Sequence, residues 1–366
     1  MAEASTSEIE VQQIGCAATV TLSRPARLNA LNDGMRAAIA RRLPHFARDP
    51  NIYCMVIKSV PESRVFCAGG DLSEIHAEIR SGHLDAARRS FADEYRLNWA
   101  LECFPKPTVS LINGLVVGSG VGLTLYGTHR VAGENYRFAM PEAAIGLFPD
   151  VGVCHALARM PHGIGTYLGL TGAAIDRAEA FALGLVTHCI RADHFPVIAE
   201  RLADAEPVDA LLDGLHQEPG PPPIMALAES IAAVFSLGSV RDMLSALGSF
   251  SQEQGARGQW ARDAAQRLSS NSPTALEATL KHIRSCATLD LRATLTADYT
   301  LACHFLDHAD LAEGIRASVV DKDKSPNWSP NTLASVVESD IAKLFHRHAS
   351  GDLSLPTRAE LQKVGF

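Results

Sequence analysis

The chain has no closely spaced cysteines. Its eight (16, 54, 67, 103, 154, 189, 286, 303) stand singly in apolar context, with no C-x-x-C pair and no matching histidine spacing, which argues against a disulfide framework and against structural zinc. They read as reduced core residues. The 14 histidines are scattered and include no H-E-x-x-H, so no metal is expected; His155, close after Asp150, reads as a helix residue. A basic field is missing too. The net charge is −8 with no stripe of Lys or Arg, which argues against general affinity for nucleic acid and leaves an anionic ligand dependent on a local site. No run reaches the ~18 apolar residues of a membrane span. Residues 1–10 show no basic or Arg-rich targeting pattern, so no membrane partner and a cytoplasmic location are the expectation.

What is present fits an ordinary globular enzyme. At 366 residues, with 47% hydrophobic and 20% charged residues, one large domain and a smaller one are expected. Residues 18–23, 52–58 and 108–112 read as strands. Residues 32–43 and 86–97 carry apolar positions at helical intervals between them, so the architecture is α/β with at least partly parallel sheets. Asp176-Arg-Ala-Glu179 has the form of a capping box, Gly184 closes its helix, and residues 186–190 read as a last strand. Beyond about residue 195 Ala and Leu at helical spacing dominate, broken by Gln217-Glu-Pro-Gly-Pro-Pro-Pro223. This divides the chain into 1–200, a helical 201–330, and a polar tail 331–366 with one amphipathic patch at 341–345.

The chemistry concentrates before residue 152. Phe138-Ala-Met-Pro-Glu142-Ala-Ala-Ile-Gly-Leu-Phe-Pro-Asp150 sets two carboxylates eight residues apart on a segment too apolar to be a solvated run. Upstream, Phe66-Cys-Ala-Gly-Gly-Asp71 and Gly114-Leu-Val-Val-Gly-Ser-Gly-Val-Gly122 are glycine turns able to bring bare N–H groups close to a ligand. Dinucleotide binding does not fit, because the last glycine of Gly118-Ser-Gly120-Val-Gly122 comes one residue early and Leu123 stands in its place. Two donors and two acids suggest oxyanion chemistry. Structural roles compete at each acid: Glu142 pairing with an arginine or capping, Asp150 capping the next helix, Glu94 on a solvated helix face.

In this order, Arg24-Pro-Ala-Arg-Leu-Asn-Ala-Leu31, the Ala68-Gly69-Gly70-Asp71 turn, Lys106-Pro-Thr-Val-Ser-Leu-Ile-Asn-Gly114 and Met140-Pro-Glu142 resemble the enoyl-CoA hydratase/isomerase (crotonase) superfamily. The resemblance spans roughly 12–200, with weaker echoes to 330. Glu94-Tyr-Arg-Leu-Asn98, the 138–152 segment and Glu313-Gly-Ile-Arg-Ala317 followed by Asp-Lys-Asp are most similar to its 3-hydroxyisobutyryl-CoA hydrolase subgroup, whose greater length also agrees.

The resemblance implies a spiral of ββα units with a helical C-terminal region, an acyl-CoA substrate, no cofactor beyond the CoA of that substrate, a place in valine catabolism, and a trimer or hexamer. It implies that the Gly70 and Ser119 amides hold the thioester oxygen, with Gly69 and Gly118 shaping the two turns. Ser119 stands where the family usually has glycine. It further implies that Glu142 is base or nucleophile, that Asp150 holds a β-hydroxyl or the water, that Glu94 lines the acyl pocket, and that Arg24, Arg27, Leu28 and Ala68 lie along coenzyme A. Hydratases of the family carry a second glutamate where this chain has Gly122, so thioester hydrolysis is the better match. A hydratase, a dienoyl-CoA isomerase and a non-catalytic acyl-CoA binder are the alternatives.

Overall fold

The first strand of the computed structural model was not anticipated. β1 (Ile9–Ile14) buries Ile9 but leaves most of Ile-Glu-Val-Gln-Gln-Ile in solvent, so its hydrophobic alternation is weak. It pairs antiparallel with β2 (Ala17–Leu22), Ile9 opposite Leu22. The structure describes residues 8–364; residues 1–7, part of the segment read for targeting, lie outside them.

From β2 onward the chain winds as a spiral, laying strands alternately into two sheets. β3 (Cys54–Ser59), β5 (Thr108–Ile112), β7 (His129–Ala132) and β10 (His188–Cys189) join β2 in parallel, in the order β1-β2-β3-β5-β7-β10. β4 (Val65–Cys67), β6 (Leu115–Val117) and β8 (Arg137–Ala139) form a smaller parallel sheet, edged by antiparallel β9 (Ile175–Asp176). The first turn gives β1 and β2 to the larger sheet and then α1 (Asp33–Arg48); the next two each give one strand to each sheet and then helix, α2 (Leu72–Ser81) and α3 (Leu84–Glu102) after β4 and α4 (Ser119–Thr124) after β6. The strand expected at 186–190 contracts to two paired residues, His188 and Cys189.

Local chemistry accounts for the boundaries. Asn32 starts α1 by accepting from the Met35 amide at 2.9 Å, and Asp71 starts α2 by accepting from Ser73. The Asp176–Glu179 capping box forms with both of its hydrogen bonds. Parallel strands buried on both faces explain the unbroken apolar runs. In β3, Met55 and Ile57 face the main core, while Cys54 and Val56 meet Ile198 and Leu202 on the opposite face.

After residue 200, the helices Pro273–Cys286 and Leu291–Asp307 place Leu276, Ile283, Leu295 and Phe305 in the same core as Val121, Phe148 and Leu157. The tail also packs: Leu353 and Leu355 are buried, and the Trp99 indole donates to the Pro356 carbonyl at 2.7 Å.

Candidate active site

The spiral brings the two glycine turns face to face. A Cβ on Gly69 would lie 3.9 Å from the Ser119 amide nitrogen, and one on Gly70 would lie 3.1 Å from Ser119 Oγ. Ser119 is the first residue of α4, so its amide is among those the helix leaves unpaired. Among the described residues, neither the Gly70 nor the Ser119 N–H donates to a backbone acceptor outside its own element. The two turns thus lie side by side, and both residues line one cavity. Gly118 sits between them with φ 48°, and a Cβ there would come within 3.2 Å of Glu142 Oε1. Glycine is required at 118 on both counts.

Around these amides is a cavity of about 290 Å³ lined by Ala68, Gly69, Gly70, Gly118 and Ser119 and by Glu94, Glu142 and Asp150. All three acids are buried. Glu142 opens a short 3-10 turn, Glu142–Ile145, that follows Pro141. Its Oε2 is buried with no hydrogen-bond partner among the described residues, and burial pushes its carboxyl up to about 8. Among the described residues no arginine forms an ion pair with it.

Asp150 Oδ2 accepts from the Tyr95 hydroxyl at 2.8 Å. Burial, and then the charges of Glu94, Glu142 and Asp298, hold its carboxyl well above the usual carboxylate range, while the Tyr95 bond pulls it down. It is not a helix cap: Gly152 is the N-cap of Val153–Leu157, and no side chain caps that helix. His155 lies in that helix, as expected, with Nδ1 3.2 Å from the Leu289 carbonyl.

Glu94 faces a residue that sequence reasoning missed. Arg36 Nη1 lies 3.5 Å from Glu94 Oε2, and the guanidinium also donates to the Leu31 carbonyl, Asp33 and Ser90. Burial opposes the charge on Arg36, but Glu94 and Asp33 outweigh it and raise its pKa. Glu94 is therefore a paired pocket residue and not part of a solvated face. A buried Arg spaced on α1 from an N-cap Asn carries no motif, so nothing local marked it.

Position 122 is crowded, so that a side chain there would make its neighbours shift. A Cβ there would be 2.7 Å from Asn98 Nδ2 and 3.0 Å from the Val151 Cβ. Of the 94–98 segment, Asn98 borders position 122 and Tyr95 braces Asp150. The residues expected along coenzyme A lie on loop 24–28 and the first glycine turn. The Ala68 amide donates to the Leu28 carbonyl at 3.0 Å, tying loop 24–28 to the turn. Arg24 engages Glu8 and Asp71, at 2.7 Å each, and so braces that turn, whereas Arg27 and Leu28 are exposed. Among the described residues, no group of three or more His, Cys, Asp and Glu could hold a metal ion, and no helix is long and apolar enough to cross a membrane.

Parallel strands wound in a spiral, with paired glycine turns over buried acids, define the class. The profile of the enoyl-CoA hydratase/isomerase family matches residues 17–345, and the chain belongs to that family. Among its relatives, 3-hydroxyisobutyryl-CoA hydrolase 1 of Arabidopsis thaliana is 35% identical, over 99% of this chain and 98% of the relative. The mitochondrial 3-hydroxyisobutyryl-CoA hydrolase of Xenopus tropicalis is 35% identical, over 95% and 91%. A solved carnitinyl-CoA dehydratase from Mycobacterium thermoresistibile superposes with a TM-score of 0.88 at 34% identity, covering 95% of this chain and 99% of that one.

Proposed function

We propose that the protein hydrolyses the thioester of a short branched or 3-hydroxy acyl-CoA, of the 3-hydroxyisobutyryl-CoA kind, to free acid and CoA. One observation carries the reading: buried Glu142 and Asp150 line one cavity together with Gly70 and Ser119 of the two glycine turns, and a side chain at position 122 would crowd Asn98 and Val151. The names of the Arabidopsis and Xenopus relatives support it.

In this reading the thioester oxygen rests on the Gly70 and Ser119 amides. Glu142, as carboxylate, takes a proton from water as the water oxygen attacks the carbonyl carbon. The oxyanion collapses, the C–S bond breaks, and the proton passes to the CoA sulfur. Attack by Glu142 itself, through an anhydride that water then opens, gives the same products. A carboxyl pushed up to about 8 is a stronger base than an ordinary one. Each amide of this kind contributes ~100- to 1000-fold in rate. Asp150 and the Arg36-paired Glu94 receive the β-hydroxyl, the loop at Arg27 and Leu28 borders coenzyme A, and no cofactor takes part.

A second reading, loss of water from a 3-hydroxyacyl-CoA, is favoured by the likeness to the dehydratase. Release of free thiol from 3-hydroxyisobutyryl-CoA, lost in Glu142→Gln and reduced in Asp150→Asn, is the expected result. A change in crotonyl-CoA absorbance without thiol release would replace hydrolysis by lyase chemistry. The cytoplasmic location is set against the mitochondrial Xenopus relative, which cell fractionation resolves. The trimer or hexamer is open to sedimentation.

A further inference from the structure

The turn that carries Asp150 is strained. Val151, a β-branched residue, has φ 52°, and Gly152 follows at 76°. Val is a genuine outlier in the left-handed region, and such a conformation persists only where its surroundings over-determine it. Here the surroundings come from far along the chain. The Tyr126 hydroxyl donates to the Val151 carbonyl, and the Gly152 amide donates to Asp298 Oδ2 at 2.6 Å.

Asp298 lies on the helix Leu291–Asp307, and its other oxygen is 2.6 Å from His282 Nε2 on the helix Pro273–Cys286. Both side chains are fully buried. The Phe148 ring stands edge-on to His282 with centroids 5.4 Å apart, so the pair touches the segment on both sides of Asp150. Neither residue lines the acyl cavity. A buried ion pair is a poor way to join two helices that already share an apolar core, and a good way to hold one backbone amide in place.

We propose that His282 and Asp298 are a positioning pair: by holding the Gly152 amide they keep the Asp150–Gly152 turn in its strained form and so set the Asp150 carboxylate opposite Glu142 across the cavity. This rests on the reading of Glu142 and Asp150 as the working acids. Burial lowers the His282 pKa, but the contacts with Asp298 and Cys286 outweigh it and push it up to about 10. Tyr95, Tyr126, Asp150, Cys154 and Cys286 also face this region.

The test combines hydrogen exchange of the Gly152 amide with kcat and KM for thiol release. Asp298→Leu removes the acceptor; the expected result is loss of Gly152 protection, kcat down by about 100-fold as for a misplaced catalytic group, and KM within about twofold. The double variant His282→Gln/Asp298→Asn can keep both hydrogen bonds without charge, and is expected to restore protection and most of kcat. Val151→Gly takes up the positive φ without strain and leaves the pair intact, so it is expected to keep Gly152 protection and kcat within about threefold. His282→Leu removes the partner of Asp298 and decides the matter if Asp298→Leu does not fold; reduced protection with kcat down about tenfold at constant KM is expected. Unchanged kcat in a folded Asp298→Leu with protection lost, or unchanged protection and kcat in His282→Leu, overturns the proposal. Wild-type protein that protects Gly152 but releases no thiol would sink the hydrolase reading while leaving the hold on the turn established.

Discussion

The two turns that carry Glu142 and Asp150 are only eight residues apart and are built in opposite ways. The Glu142 turn has a relaxed 3-10 backbone, closed by Leu147 N–H to the Glu142 carbonyl at 3.0 Å, and its side chain keeps an oxygen with no partner. The Asp150 turn has a strained backbone and a side chain braced by Tyr95. A group that must exchange protons is served by an unoccupied oxygen, and a group that must place another atom is served by restraint. The contrast also divides the molecule. The glycine turns come from residues 67–71 and 118–122, whereas the acceptor for Gly152 comes from residue 298.

The contrast breaks most sharply at Glu142. Glu142→Gln removes the proposed proton acceptor and is expected to lower kcat for thiol release by ~10³-fold, within the range of a lost general base, with KM little changed. Asp150→Asn keeps the shape of the turn and is expected to cost less, about 10²-fold, with the larger share in hydroxyacyl substrates over unsubstituted ones. Equal losses for both substrate types would remove the β-hydroxyl from its role. Gly122→Glu tests whether position 122 could have carried a hydratase acid. Overpacking against Asn98 and Val151 is expected to destabilise the fold by ~1–3 kcal/mol in chemical denaturation, with no hydration of crotonyl-CoA gained.

Tyr95→Phe sharpens the comparison with a smaller effect. The Tyr95 bond lowers the Asp150 pKa, so its loss raises it; a several-fold fall in kcat is expected, with the pH limb that reports Asp150 moved upward. An unmoved limb would separate Tyr95 from the acid.

A last contrast lies in the pH dependence of stability. The folded carboxyl of Glu142 keeps its proton up to about 8, against 4.5 for the free side chain, so the folded state binds more protons in that window. Its contribution is present below 4.5 and is lost as pH rises through about 8. Glu142→Gln should therefore melt higher relative to wild type at alkaline pH than near pH 4.5; a difference that does not vary with pH would place an ordinary carboxylate at 142.

Much of this was written in short segments. The β5 strand, Thr108–Ile112, follows from its apolar run; the capping box at Asp176 and the two glycine turns follow from residue types within a few positions. Family resemblance then attached roles to Glu142, Asp150, Gly70 and Ser119. Local reading failed where the signal was weak or distant. The exposed β1 gave little alternation, Tyr95 meets Asp150 across 55 residues and Asp298 meets Gly152 across 146, Arg36 enters the pocket from α1 beside the distant Glu94, and His282 bears on the turn through Asp298.

Spacing and residue type were enough to specify which backbone can bend sharply, which helices start where, and that two acids share an apolar segment, because these depend on φ/ψ preference and on neighbours within a turn or two. The raised carboxyl of Glu142, the crowding at Gly122 and the anchoring of Gly152 on Asp298 were decided only when distant elements packed. Burial, steric exclusion and charge coupling are properties of which atoms end up within a few ångströms of each other, and no local run of residues encodes that.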